Sequence, residues 1–175
     1  TYEETISFLF GVDDESVISP HYRQRGFGDQ VVCLITDIFF PRGEIMSMDE
    51  LVSKKNEIFE TVLREQKSFY HPRAELTHRL SEVDGFIVLK IGANRSLIRI
   101  TKEFKMEQLD NWPSVYVVIN NDPNVQKMAV EVEQEAFYRS STVVHILTTN
   151  LNERLQRYRL QLEIVPTFVK NEFWN

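Results

Sequence analysis

Residues 83–132 constrain the fold of this chain most, because short β-forming runs alternate there with turn-forming residues. The segments between the runs contain Gly, Asn, Asp and Pro, which tolerate or preset the dihedral angles of turns. Strands that follow each other so closely usually pair with their sequence neighbours. The pattern therefore predicts an antiparallel meander of four strands. The four runs are Phe86–Ile91, Leu97–Lys105, Ser114–Asn120 and Lys127–Glu133.

The second run of the meander has the alternation of a strand with one apolar face. Ile98 and Ile100 point to the side opposite Arg99, as in an antiparallel sheet that is wet on one face. We expect both isoleucines to share a sheet face with the apolar residues of the third run, beneath a helix. Those residues are Val115, Val117 and Ile119.

A long helix is predicted at about 48–69. Ser47 and Glu50 have the spacing of a capping box, in which each side chain bonds to the backbone N–H of the other residue. After them, one helical face is mostly apolar and the opposite face is charged. The mostly apolar stripe consists of Leu51, Lys55, Ile58, Phe59, Val62, Leu63, Gln66 and Phe69.

Two further helices are predicted. Pro72 suits the first position of a shorter helix, Pro72–Glu82, which Asp84-Gly85 would end. Ser140 or Ser141 is expected to cap the third helix, because Ser is a favoured N-cap residue. The apolar stripe of this third helix consists of Val144, Leu147, Leu151, Leu155 and Tyr158.

Three more strands complete the expected architecture: Thr5–Val12, Gln30–Phe40 and Leu160–Val165. The predicted order is β-β-α-α-β-β-β-β-α-β. Grouped strands with separate helices are typical of an α+β fold. We expect a mostly antiparallel sheet of about six strands, with the four-stranded meander at its centre and the helices packed mainly on one face. Residues 1–175 are expected to form a single domain, and the non-Met start suggests a piece excised from a longer chain.

Composition narrows the class of protein. The net charge of −6 argues against an extended nucleic-acid surface, which must neutralise phosphates. The single cysteine, Cys33, excludes an internal disulfide and a Cys-based zinc cluster, and it suits a reducing, cytoplasmic location. No apolar run approaches the ~20 residues of a membrane helix, so no membrane association is expected. Phosphate-binding Gly-rich motifs and nucleophile triads are also absent from the sequence, and no cofactor is expected.

Carboxylates and histidines supply an alternative hypothesis, a metal-dependent hydrolase or nuclease. On a helix, Glu75 and His78 would have the spacing found in di-iron carboxylate sites. Such sites need a second Glu-x-x-His motif, which this sequence lacks. Asp37 and the pair Glu131 and Glu133 could also contribute to a carboxylate cluster. The simpler interpretation is a solvent-facing set of charges, so no metal site is predicted.

The loop Ser19–Gly28 is the strongest candidate for a binding element. It combines Gly, Pro and arginines with aromatic side chains, and such a long loop without regular structure is uncommon unless it is functional or mobile. Arg and aromatic side chains can stack on bases, pair with phosphates or contact an acidic partner. Alternatively, the arginines pair locally with Asp13, Asp14 and Glu15. The candidate contact residues are His21, Tyr22, Arg23, Arg25 and Phe27.

These observations favour a non-catalytic binding or regulatory module of a larger protein. Its partner would be a protein or a nucleic acid, contacted through the basic, Gly-flanked loop 19–28. The function of the protein cannot be inferred from the α+β fold alone, because the same fold occurs in proteins with different functions.

Overall fold

The computed structural model describes Leu9, residues 29–37 and residues 47–166. The described strands and helices, in chain order, are β1 (Asp29–Asp37), α1 (Met48–Glu65), β2 (Leu76–Val83), β3 (Phe86–Ala93), β4 (Leu97–Ile100), β5 (Met106–Leu109), β6 (Ser114–Asn120), β7 (Lys127–Val130), α2 (Ser140–Leu155) and β8 (Leu160–Pro166).

A six-stranded sheet forms the centre of the molecule, with the strand order β2-β3-β6-β7-β1-β8. Every neighbouring pair in it is antiparallel. Strands β4 and β5 form a separate two-stranded sheet. The predicted α+β class and the count of about six sheet strands are therefore confirmed.

Both described helices contribute to the core on one face of the sheet. Strand residues alternate between the two faces, so the odd-numbered residues of β3 and β6 lie on the helix side. They pack in one cluster with Phe59 of α1 and Leu151 of α2. A smaller cluster lies on the opposite face, where Leu9 packs on Phe86, Val88, Val118 and Ala129.

Helix α1 begins as the sequence predicted. The Ser47 hydroxyl accepts a hydrogen bond from the Glu50 N–H, and the Glu50 carboxylate accepts one from the Ser47 N–H. The helix ends earlier than predicted, at Glu65, because Gln66 is extended with a ψ of 108°. Phe69 still enters the core, with 5% of its surface exposed.

The predicted helix Pro72–Glu82 is wrong, since this segment forms a turn and then β2. The residues that form a hairpin turn instead of a helix end are Asp84 and Gly85, which connect β2 to β3. Both residues have positive φ, 52° and 80°, as in the two-residue turns that close β-hairpins. β2 pairs with β3 along its whole length, from Leu76 opposite Ala93 to Val83 opposite Phe86. The hairpin satisfies backbone groups that a short helix would leave unbonded at its ends.

The predicted central meander is interrupted. The run Leu97–Lys105 does not join the main sheet; it divides into β4 and the tip that leads to β5. Ile98 and Ile100 are 66% and 69% exposed, so they do not share the buried face of the third run. The residues of that run, Val115, Val117 and Ile119, do lie in the helix-side core.

Several element ends also differ from the predictions. Arg139, not a serine, is the N-cap of α2, and it makes no side-chain capping bond. β7 ends at Val130 rather than Glu133. Leu9 is helical, although a strand was predicted there; the rest of Thr5–Val12 lies outside the described residues. The strand predicted at Gln30–Phe40 is β1, whose described part ends at Asp37.

Candidate binding surfaces

The predicted contact loop, Ser19–Gly28 with His21, Tyr22, Arg23, Arg25 and Phe27, lies outside the described residues. Its connection to the sheet is described, because β1 begins at Asp29, directly after the loop. Asp29 lies opposite Val130, the last residue of β7. This end of the sheet is also where β3 finishes and β6 begins.

The β4–β5 hairpin extends from that same end of the sheet, and its base is fixed by several hydrogen bonds. The Asn94 N–H donates to the Glu75 carbonyl at 2.9 Å, and the Arg95 N–H donates to the Asn111 carbonyl at 2.6 Å. The Arg95 guanidinium donates through Nε and Nη2 to the Ala136 carbonyl, at 3.2 and 2.7 Å. These bonds hold the hairpin in a defined position relative to the sheet.

The two faces of the hairpin differ in chemistry. Its register places Ile98, Ile100 and Met106 on one face, since Ile100 lies opposite Met106 and Ile98 lies opposite Gln108. The other face carries the ion pair between Arg99 and Glu107, at 2.6 Å, beside Leu97 and Leu109. On the first face, Met106 is 74% exposed and the two isoleucines are exposed as well. We call Ile98, Ile100, Phe104 and Met106 the apolar hairpin surface.

Phe104 stands at the tip of the hairpin in a conformation that rarely holds a large side chain. The Phe104 N–H donates to the Thr101 carbonyl, and the Thr101 N–H donates to the Lys105 carbonyl, both at 2.9 Å. These bonds describe a three-residue loop whose last position is left-handed and usually glycine. Phe104 has a φ of 59° there, and 90% of its surface is exposed. A bulky residue in this region is uncommon, and such strain concentrates at functional sites.

Positive charge gathers on the helix side of the same end. Arg73, His145 and Arg95 are all near enough to His71 to affect it electrostatically. Burial lowers the pKa of the His71 imidazole, and the nearby Arg73, His145 and Arg95 lower it further. The His71 Nδ1 accepts a hydrogen bond from the Arg73 N–H at 3.2 Å, which also favours the neutral ring. We call these four residues the basic corner.

The sheet face opposite the helices carries a partly open cavity of about 260 Å³ among the described residues. Arg79 of β2 lies opposite Lys90 of β3, and Lys90 lies opposite Tyr116 of β6. The Lys90 Nζ is 5.4 Å from the centre of the Tyr116 ring. The neighbouring row across the same strands is Thr77, Gly92 and Ser114. The residues that line the cavity are Thr77, His78, Arg79, Lys90, Gly92, Trp112 and Ser114, and we call this cavity the sheet groove.

The residues of the metal hypothesis occupy other roles. The His78 Nε2 lies 3.1 Å from the Gln66 carbonyl, and its ring packs edge-on against Phe69. The Glu131 carboxylate accepts a hydrogen bond from the Tyr116 N–H at 2.8 Å. Glu75 precedes β2 rather than lying on a helix with His78. Within residues 29–37 and 47–166, together with Leu9, no three His, Cys, Asp or Glu side chains form a group that could hold a metal ion.

Sequence reasoning missed both the hairpin and the groove. The adjacent charged residues Lys102-Glu103, which follow the alternating residues 97–101, were a local signal for the hairpin turn. The groove had no local signal, because Arg79, Lys90 and Ser114 belong to three strands and only the register brings them together.

Comparisons with known proteins add no family to this description. No protein-family model matches the chain, and neither the curated proteins nor the solved structures contain a significant match. Neither of the described helices has the length and apolar character needed to cross a bilayer.

Proposed function

We propose that this chain is a non-catalytic binding module of a larger protein, and that it contacts a partner protein through the apolar hairpin surface and the loop Ser19–Gly28. The observation that carries the proposal is Phe104, which is 90% exposed in a left-handed backbone position. A glycine at this position would adopt the left-handed conformation without strain, and it would expose no apolar ring to solvent. We infer that the phenyl group at this tip is an interface anchor, which inserts into a pocket of the partner protein.

The exposed apolar side chains of the hairpin support a protein partner. Ile98, Ile100 and Met106 lie on one face, and the other face carries Leu97 and Leu109 beside the Arg99–Glu107 ion pair. Contiguous exposed apolar surface is typical of protein interaction sites. An isolated two-stranded sheet is only marginally stable in water, so a partner that covers its apolar face would also stabilise the hairpin.

Charge around the hairpin indicates the chemistry of the partner. The basic corner lies at the base of the hairpin, where Arg95 anchors it to Ala136. Arg23 and Arg25 are two further cations of the predicted contact loop, which precedes β1 in the sequence. An acidic rim around an apolar pocket would complement both features. We therefore propose a partner protein with an acidic surface, in the reducing interior of a cell.

The Phe104→Gly variant tests the anchor. We expect its free energy of unfolding to stay within about 1 kcal/mol of the parent or to rise, because the left-handed position costs roughly 1–2 kcal/mol for a residue with a Cβ. Chemical denaturation measures this difference. A loss of more than about 1 kcal/mol would show that the ring is structural.

The partner is found with a photo-crosslinking amino acid, p-benzoylphenylalanine, at position 104. The same amino acid at Tyr138, an aromatic residue that is 73% exposed elsewhere, is the control. The protein captured at 104 but not at 138 is purified, and its affinity for the parent and for Phe104→Gly is measured. We expect the variant to bind about tenfold more weakly or worse. Adducts only with nucleic acid or with copies of this chain, or equal affinities for parent and variant, would refute the proposal.

The double variant Arg23→Ala/Arg25→Ala tests the loop. We expect stability to change by less than about 0.5 kcal/mol, as for surface sites. Binding of the captured partner should weaken, and its salt dependence should decrease, because two cations leave the interface. A large loss of stability would instead mean that the arginines form buried structural ion pairs with groups such as Asp13, Asp14 or Glu15.

A further inference from the structure

We propose that the sheet groove binds a nucleoside phosphate, either as a free nucleotide or within a single-stranded nucleic acid. Arg79 and Lys90 hold the phosphate, and Trp112 stacks on the base. The groove shares no residue with the apolar hairpin surface, so the inference does not depend on the proposed partner protein.

The positions of Arg79 and Lys90 lower the stability of the sheet. Arg79 and Lys90 are directly opposite each other on neighbouring strands, and both side chains are exposed. Like charges in this position destabilise a sheet. Neither side chain forms an ion pair in the described part of the chain, and Lys90 is held only by its contact with Tyr116. An anion between the two side chains would turn the repulsion into binding energy.

Gly92 lets Thr77, Pro113 and Ser114 approach the β3 backbone closely at one end of the groove. It lies between Thr77 and Ser114 in the row next to the two cations. A Cβ at Gly92 would come within 3.1 Å of the Pro113 carbonyl oxygen and 3.3 Å of the Ser114 Cβ. Adjacent strands lie about 4.8 Å apart, and adjacent rows on one face lie about 6.8 Å apart. The groove is therefore narrow at Gly92, with Thr77 and Ser114 on either side and the cations in the next row, about 6.8 Å along the strands.

The two hydroxyls are available to an anion. Neither the Thr77 nor the Ser114 side chain takes part in a hydrogen bond in the described structure. Hydroxyls that donate to phosphate oxygens beside Arg and Lys are a common combination in phosphate recognition. Two cations and two hydroxyls that form no ion pair or hydrogen bond among the described residues thus line one cavity, which points to a ligand of opposite charge.

Trp112 is the residue that would recognise the base of the nucleotide. It lines the same cavity, 38% of its surface is exposed, and it leads through Pro113 into β6. Indole rings stack on nucleobases regardless of sequence. The cavity of about 260 Å³ is near the lower end of ligand pockets, roughly 300 Å³, which suits one nucleotide rather than a large cofactor. With a net charge of −6 on the whole chain, binding of a polyanion would be local to this groove.

The test uses tryptophan fluorescence. The chain has two tryptophans, Trp112 and Trp174, so the Trp174→Phe variant leaves Trp112 as the only indole. This protein is titrated with AMP, adenosine, inorganic phosphate and an oligoadenylate of about eight nucleotides. We expect AMP to quench Trp112 and to bind about tenfold more tightly than adenosine or phosphate alone, because the site needs both parts.

The oligonucleotide arm distinguishes the two sources of the ligand. Binding of oligoadenylate that is about tenfold tighter than that of AMP, and that weakens between about 50 and 200 mM salt, assigns the groove to single-stranded nucleic acid. Equal affinities assign it to a free nucleotide. If neither AMP nor oligoadenylate quenches Trp112, the inference is wrong. If inorganic phosphate binds as tightly as AMP, the proposed stacking of the base on Trp112 is wrong.

Matched variants connect the binding to the groove. Arg79→Gln/Lys90→Gln should weaken binding about tenfold or more without loss of thermal stability, since a repulsive pair is removed. Lys90→Arg should retain binding. The control Lys54→Gln/Lys67→Gln removes the same charge from exposed positions on or beside α1, and it should change the affinity by no more than about twofold. An equal loss in the control would show general electrostatic attraction and overturn the proposed site.

Discussion

At the scale of single residues, asparagine side chains join helices to the segments around them. The Asn150 side chain on α2 accepts a hydrogen bond from the Tyr70 N–H at 2.8 Å and donates to the Tyr70 carbonyl at 3.0 Å. Asn152 makes the same pair of bonds with the backbone of Leu162 in β8. Asn56 on α1 exchanges bonds with Asn121 beyond β6. The Asn150 and Asn152 amides each accept from one backbone N–H and donate to the carbonyl of the same residue, and Asn56 and Asn121 each donate to the backbone carbonyl of the other.

Asn150→Ala should lower the free energy of unfolding by about 2–3 kcal/mol. Asn150 is only 7% exposed, and its removal leaves the Tyr70 N–H and carbonyl without these partners. Chemical denaturation measures the loss. Thr149→Ala, at the adjacent exposed position, is the control and should change stability by less than about 0.5 kcal/mol. Equal effects of the two substitutions would show that the amide contributes little.

At the scale of secondary-structure elements, the β2–β3 hairpin shows how one turn decides the state of a whole segment. Asp84 and Gly85 fit a helix end and a hairpin turn equally well by composition. In the structure Asp84 has a φ of 52°, which belongs to the hairpin and not to the last turn of a helix. The segment before it then alternates between partly buried and exposed side chains as β2.

Asp84→Ala distinguishes the two states by the sign of its effect. In the hairpin, Ala must adopt the left-handed conformation, and we expect a loss of about 1 kcal/mol. At a helix end, Ala would stabilise the protein through its higher helix propensity. Asp84→Gly is the matched variant and should be close to neutral, because Gly accepts positive φ. Thermal or chemical unfolding of the three proteins provides the measurement, and a gain in Asp84→Ala would contradict the hairpin.

At the scale of the whole molecule, stability depends on how the helix layer covers one face of the sheet. Leu151 of α2 is 1% exposed and belongs to the same cluster as Val117 of β6. Phe59 of α1 completes this layer contact and is fully buried. The opposite face has less apolar cover among the described residues, none of which closes the sheet groove.

Leu151→Ala should cost about 2–5 kcal/mol, as for other buried leucines that leave a cavity. The comparison variant is Val52→Ala on α1, where the side chain is 48% exposed and the expected change is below about 0.5 kcal/mol. Denaturant unfolding of both variants tests the layer order. A loss in Leu151→Ala as small as that in Val52→Ala would mean that α2 is peripheral.

Local interactions allowed much of the fold to be predicted from the sequence. The capping box at Ser47 and Glu50 begins α1 where predicted, and the apolar stripe of α2 faces the core at Leu147, Leu151 and Leu155. Strand β6 has the predicted bounds. These features depend on residues within a few positions of one another, so their periodicity and capping are present in the sequence itself.

Tertiary structure decided the rest, because burial and pairing depend on distant segments. The alternation at Ile98 and Ile100 is real, but no described layer covers that face, and the hairpin remains exposed. Arg79 and Lys90 become neighbours only through the register of β2 on β3. The sequence by itself determined which segments form α1, α2 and most strands. The sheet groove and the projecting hairpin arose from strand register and from which surfaces the helices leave uncovered, and neither is a property of any short stretch of chain.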